Sequence, residues 1–510
     1  MPQLEPSTRR IARNTLMLYL RTLLSVVVGL YTSRVVLHIL GVEDYGLYGL
    51  VGGIVSMLGF LNASLAGATS RFITYDLGTG DVENLKQTFN TAFQSHLVIA
   101  FIVVFFAETL GLWIVNNLLD IPQGRYFAAN CIYQLSILST FIGITQVPYS
   151  SVILAHEQMD VYAWLEILNV VLKLIIVWLL QLTTSDRLIF YGILVFAVTL
   201  LIRSIYRFYC HRHYFESHFA FVWQPVKLRK MLSFTGWNLY YNASETIRLQ
   251  GINIIINRFF GVVLNASCSL ASMIQGVCWV LGHNIASAYR PQIIKQYAAC
   301  NFLRMQRLMN QALKFTLVII CLFYVPVIVE MEYLINFWLG YVPSYLVPFC
   351  RIYLLDTIVG LIIHIITIGI YAYGNITAIS IFSGTLKFIC LPVVFILFYF
   401  SFSPTWAYWS NLICLLFIVV FDFRILKQYV PQLSVRSLIS TIGFVFSIIL
   451  VCAVGYFFFR QALPVGFFYK SLSAVVFVSS CLLLSYLFLL DNTEKRSLRF
   501  YLIEKYRRWL

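Results

Sequence analysis

Apolar runs of about twenty to twenty-seven residues recur along the whole chain, separated by short segments that carry most of its charge. A helix needs roughly 20 apolar residues to cross a hydrocarbon core about 30 Å thick. The pattern predicts fourteen spans near 14–37, 47–70, 90–116, 127–153, 161–183, 188–209, 232–258, 264–288, 311–335, 346–371, 376–400, 405–424, 437–459 and 468–490. Two are unusual: 232–258 is rich in Asn, and 405–424 is short with two Trp. The expected fold is an all-α polytopic membrane protein.

Composition agrees. Of 510 residues 60% are hydrophobic and 11% charged, against about 25% charged in a soluble domain. That excludes soluble, disordered, collagen-like and disulfide-scaffold classes. The net charge of +15 suggests a nucleic-acid partner until the charges are placed. Alternate sides of the predicted spans carry 25 and 6 of the Lys and Arg residues, with 5 inside spans. Such asymmetry sets membrane orientation, because basic residues stay in the cytoplasm. Both termini are expected there, and no nucleic acid is expected as partner. The basic Met1–Arg13 followed by a full-length apolar run reads as an uncleaved first helix rather than a signal peptide. The basic and aromatic tail 491–510 reads as an amphipathic segment along the cytoplasmic interface. Eleven Cys show no CxxC or metal spacing and read as small buried hydrophobes.

A weak internal repeat runs through the chain. Arg34 and Arg258 each close a span. Ser70-Arg71-Phe-Ile-Thr-Tyr75, then Gly80-Asp81 and an amphipathic stretch from Leu85, corresponds to Tyr289-Arg290 through Tyr297, then Cys300-Asn301 and a stretch from Met305. Six spans separate the copies, so both have the same orientation. Two parallel six-helix lobes around a central cavity are expected, with 1–210 and 232–430 as lobes and 211–231 as a cytoplasmic linker. Residues 431–490 form a final helix pair.

No HExxH, GxSxG or P-loop occurs, no Asp/Glu/His cluster has metal spacing, and the predicted outer loops are only about ten residues long. No enzymatic role and no cofactor is expected. Candidate function lies instead in polar residues inside spans, which are costly there and mark transport pathways. In the first span Asn14, Arg21, Ser25 and Thr32 fall within about 40° of one another at 100° per residue. Arg21 can grip phosphate oxygens bidentately or snorkel to the nearby interface. In the seventh span Asn238, Asn242 and Glu245 share a face, Tyr241 flanks it, and Arg248 lies at i+3 from Glu245, within pairing reach. Lys173 and Lys387 sit near mid-span, as cavity cations or snorkelling side chains. Asp356 and Glu108 can carry protons. Glu166 lies too far along its helix to touch Lys173. Arg71 and Arg290 begin cytoplasmic segments, and Arg34 and Arg258 cap helix ends.

The stretch Ser33-Arg34-Val-Val-Leu-His-Ile-Leu-Gly41-Val-Glu-Asp-Tyr45-Gly46-Leu-Tyr48, the Ser70–Asp81 segment and Pro291–Tyr297 resemble the polysaccharide-transport branch of the multidrug/oligosaccharidyl-lipid/polysaccharide (MOP) exporter superfamily. The resemblance extends over essentially the whole chain and is strongest in 10–90. It implies a flippase of a bacterial inner membrane. Its substrate would be an undecaprenyl-pyrophosphate-linked oligosaccharide of O-antigen, capsule or exopolysaccharide type, moved to the outer leaflet by alternating access. It also implies membrane lipids, a polysaccharide polymerase and chain-length machinery as partners. Functional arginines of the family map loosely onto Arg21 and Arg248. Two alternatives stand beside it: a cation-coupled multidrug antiporter of the same superfamily, which Glu245 would suit, and a membrane polysaccharide polymerase or ligase, which the short outer loops disfavour.

Overall fold

The structure, a computed structural model, describes residues 6–56, 59–117, 121, 124–183, 186–220, 224–462, 467–491 and 494–495. Every regular element among them is a helix. In chain order they are α1 (Pro6–Ser56), α2 (Gly59–Thr79), α3 (Val82–Phe106), a π turn (Ala107–Gly111) running into α4 (Leu112–Asn117), α5 (Tyr126–Ala155), α6 (Met159–Leu182) and α7 (Arg187–His213). Then follow α8 (Pro225–Ala298), α9 (Phe302–Val329), α10 (Met331–Leu339), α11 (Leu346–Tyr373), α12 (Thr377–Tyr399), α13 (Trp406–Tyr429), α14 (Val435–Ala462) and α15 (Phe467–Leu484).

Among the described residues ten helices are long and apolar enough to cross a membrane. The spans expected at 14–37, 47–70, 232–258 and 264–288 fall on α1, α2 and α8. Helices α1 and α8 each bend at one glycine, Gly41 with φ 81° and Gly261 with φ 80°. Positive φ is open to glycine at little steric cost, so both long helices turn where no side chain opposes it. Large apolar side chains such as Phe105, Phe106, Trp178 and Phe417 point outward. That surface suits lipid, where helices satisfy every backbone group internally.

The chain divides into two compact units, residues 13–242 and the described residues from Ala243 onward with 6–12. In the first, α5 packs on α2, α3 and α7, with Phe89, Tyr149 and Tyr206 fully buried. The π turn has a local cause. Tyr133 on α5 donates its hydroxyl to the Ala107 carbonyl at 2.7 Å, and a Cβ at Gly111 would lie 2.1 Å from that oxygen. In the second unit α11 packs on α9 and α13, and α14 lies on α9 and α15.

The turns after α2 and α8 repeat each other. Gly80 takes φ 76°, and Asp81 caps α3 by accepting from the Asn84 amide. Cys300 takes φ 55°, and Asn301 caps α9 by accepting from the Arg304 amide. Both the glycine bends and these turns are 220 residues apart. Two sequence expectations need correction here. Arg71 and Arg290 do not begin loops: both helices run further than their apolar runs, placing Arg71 inside α2 and Arg290 inside α8. Cys300 is exposed, on the turn itself, rather than a buried hydrophobe.

Candidate functional site

The polar stripe of α1 is partly structural. Asn14 is buried and donates to the Glu157 carbonyl at 3.2 Å, and Thr32 returns its hydroxyl to the Val28 carbonyl. Arg21 differs. Its guanidinium lies over the Tyr162 ring on α6, 5.4 Å from the centroid, a cation–π arrangement. Glu166, one turn further along α6, accepts from the Tyr206 hydroxyl of α7 at 3.3 Å. Arg21, Tyr162, Glu166 and Tyr206 therefore form one electrostatic group in the first unit. Ser25 sits half-buried one turn from Arg21, whereas Lys173 is exposed on α6. Tyr206 escaped the sequence reading, because Glu166 was weighed only against Lys173 on its own helix.

The amide face of α8 divides between two jobs. Asn238 donates to the Ser64 carbonyl on α2 at 2.9 Å, and Asn242 donates to the Ser64 hydroxyl at 3.0 Å and to the Asn238 carbonyl. These amides fasten α8 to α2 within the first unit. Tyr241 lies half-buried beside them.

One turn on, in the second unit, the chemistry changes. Glu245 accepts from Arg248 on one carboxylate oxygen and pairs with Lys387 of α12 at 3.1 Å on the other. The side chains of Arg248 and Lys387 are only 6% and 4% exposed, while Glu245 is 37% exposed. Two buried cations thus stand behind one accessible carboxylate. The i+3 pair read from sequence is present, and Lys387 completes it from another helix.

Two more carboxylates join this group. Asp356 on α11 accepts from the Asn411 amide of α13 at 2.9 Å, leaving its other oxygen buried without a hydrogen bond. Asp422 on α13 is 1% exposed, lies within the field of Lys387 and also keeps one oxygen without a hydrogen bond. Asn411 and Asp422 are functional candidates the sequence reading passed over. Their only signal was a polar residue in an apolar run, which does not say what faces it. With all five charged groups ionised the cluster carries −1; with both aspartates protonated it carries +1.

Several other intramembrane or flanking charges make local contacts. Glu108, in the π turn, accepts from Gln134 of α5 at 3.0 Å. Arg71 is buried against the rings of Phe72 and Tyr75, and Arg290 lies over Tyr371. Arg258 is exposed, and the Arg34 side chain lies outside the described residues. Glu330, after α9, receives Arg460 of α14 at 2.6 Å and Lys470 of α15 at 2.7 Å. Burial would push this carboxyl up, but the hydrogen bonds from Lys470 and Arg460 outweigh it and hold it below the usual carboxylate range. Arg460 and Lys470 therefore clamp Glu330. At the other end of α9, Lys314 reaches Asp491 and Glu494 at 3.5 Å, and Asn310 donates to Ser437 of α14. The final helix pair is thus stitched to α9 at both ends.

No family model and no curated protein matches the chain. Solved structures do. A MATE transporter in complex with MaL6 is similar over 84% of this chain and 97% of that one, with TM-score 0.71 and 11% identity. The fold is MATE-like. An outward-facing multidrug resistance MATE family transporter of the MOP superfamily gives TM-score 0.67 at 13% identity, over 84% of this chain and 96% of its own. The Vibrio cholerae MATE transporter VcmN in its bent form gives 0.64 at 14% identity, covering 84% and 99%. A MATE-like fold holds the Glu245 cluster within its second unit and the Arg21 group within its first. The superfamily expected from sequence is the one printed for the outward-facing transporter; the polysaccharide branch is not singled out by these structures.

Proposed function

We propose that this chain is a membrane transporter that works by alternating access, and that it exports amphipathic solutes in exchange for a cation. The observation that carries this reading is the MATE-like fold over nearly the full length of the structures compared, one of them a multidrug resistance MATE family transporter. It favours the antiporter alternative over the flippase. The Glu245 cluster supplies suitable coupling chemistry. Both oxygens of Glu245 are taken by built-in cations, so an incoming proton or metal cation is left with Asp356 and Asp422. Loading these two carboxylates changes the charge of the cluster by two, which gives transport states a differential interaction. The protein is proposed to lie in a bacterial cytoplasmic membrane with both termini inside, following the charge asymmetry, and to have no enzymatic role.

A second reading, translocation of a lipid-linked oligosaccharide, is supported by a separate observation. Arg248 and Lys387 are buried against a single carboxylate, and the Arg21 guanidinium is held flat on an aromatic ring. Such cations suit a pyrophosphate. Under it, a polysaccharide polymerase and chain-length machinery are the expected partners.

Reconstituted vesicles separate the two. With an imposed pH or sodium gradient, ethidium movement that is lost in Asp356→Asn supports the antiporter. A fluorescent undecaprenyl-pyrophosphate oligosaccharide that changes leaflet without a gradient, and stops doing so in Arg21→Ala, replaces it with the flippase. Inactivity towards both, with folded protein, overturns both.

A further inference from the structure

A second group of titratable side chains lies in the same unit, on α8 and α11. We propose that His283 and His364 together form a proton-binding site whose charge state controls the contact between these two helices. The inference deepens the transporter reading by assigning a coupling ion, and it rests on that reading only for its link to transport.

The geometry is compact. The imidazole rings of His283 and His364 are 4.8 Å apart between centroids and tilted by 35°. Trp279, one turn before His283, stacks on it at 6.1 Å and meets His364 edge-on at 6.3 Å. The hydroxyl of Ser287 lies 3.3 Å from His283 Nδ1, and His364 Nε2 is buried without a hydrogen bond. Trp279 can approach because position 360 is glycine: a Cβ there would lie 3.0 Å from the indole. A Cβ at Gly282 would lie 2.3 Å from Leu361. The helices therefore meet with no slack around the pair.

The charged surroundings are one-sided. The charged or titratable groups that act on His364 are His283 and Arg290, both on α8. Helices α9, α10 and α13 also pack on α11, and no carboxylate is among the groups that act on His364. A proton taken by the pair thus adds a like charge to a site already facing Arg290. With packing this close, the response is a shift of α8 against α11 rather than a small local adjustment, since packed interiors deform little. Asp356 lies two turns away on α11, so a shift there also moves a carboxylate of the Glu245 cluster.

Trp279 provides a readout independent of any substrate, because an imidazolium against an indole quenches its emission. The chain has ten Trp, so the signal is the difference between wild type and Trp279→Phe, in nanodiscs, from about pH 4 to 8. A single titration, lost in both His283→Gln and His364→Gln, is expected. A flat difference, or a titration that survives either substitution, overturns the proton site. Vesicle transport of ethidium is then measured across the same pH range. Its pH dependence should be lost in His364→Gln; a wild-type profile in that variant overturns the link to transport. Inactive vesicles with an intact Trp279 titration would count against the transporter reading and not against the site.

Discussion

The two units share a plan, and their candidate sites differ in how they hold charge. Both have a long helix bent at a positive-φ glycine, and both follow with a turn whose cap lies 220 residues from its counterpart. In the first unit a lone guanidinium rests on the Tyr162 ring, with Glu166 turned to a tyrosine hydroxyl. In the second, two buried cations close on one carboxylate, and two further aspartates lie near them. A ring holds a cation more loosely than a carboxylate does. Carboxylates hold it firmly and make the local charge depend on what binds them. The repeat thus preserves the backbone device while the chemistry inside differs.

The strongest way to break that contrast is Glu245→Ala. It leaves Arg248 and Lys387 buried without their carboxylate, and removing one partner from a buried ionic group costs about 3–5 kcal/mol. A large drop in melting temperature is expected, with transport lost. The double variant Glu245→Ala, Lys387→Met should recover much of the stability, because it removes one stranded cation with the carboxylate. A single variant as stable as wild type would show that the cluster is not the tightly held group described.

Next in size is the clamp on the final helix pair. Glu330→Gln should cost about 2 kcal/mol, the scale of charge-assisted hydrogen bonds. The carboxyl lies below its unfolded value of about 4.3 when folded. Its stabilisation is therefore complete above that value and is lost as pH falls through the lower, folded one. The difference in melting temperature between wild type and Glu330→Gln should be full at pH 7 and shrink on acidification. A difference that grows in acid would reverse the assignment.

Fourteen apolar runs, the repeat and the Glu245–Arg248 pair were legible because each is a local pattern: a run length, an offset, an i+3 spacing. The partners were not. Lys387, Asp356 and Asp422 come to Glu245 and Arg248 from α11, α12 and α13, and nothing in their own neighbourhoods records the meeting. The partner of Asn238 and Asn242, Ser64 on α2, was hidden for the same reason. An amide-rich helix face looks like a cavity lining until Ser64 is seen to use it. The choice of substrate class was less legible still, since one fold can serve several chemistries and site, not fold, decides among them.

The shared backbone device can be tested separately. Gly41→Ala and Gly261→Ala should each cost about 1–3 kcal/mol, the penalty of a positive-φ, extended-ψ conformation that is essentially glycine's alone. No neighbouring atom lies within 4 Å of a Cβ at either position, so crowding adds nothing. Equal losses in thermal stability are expected. A loss confined to one glycine would mean that only one bend persists in the membrane, and that the repeat has diverged in backbone as well as chemistry.

The smallest effect on stability is expected at Arg21, and there the comparison is sharpest. An exposed or partly exposed cation–π contact contributes about 0.5–1 kcal/mol, so Arg21→Ala should move the melting temperature by less than about 2 °C. Arg21→Lys keeps the charge but loses the planar donors that match phosphate. If the first unit receives an anionic head group, both substitutions reduce transport while the protein stays folded, and alanine reduces it more. If the first unit only packs, transport follows stability and neither substitution matters beyond its slight loss. Melting curves and vesicle transport measured on the same preparations decide between these outcomes. A folded, inactive Arg21→Ala beside an unstable Glu245→Ala would place substrate contact in the first unit and charge coupling in the second.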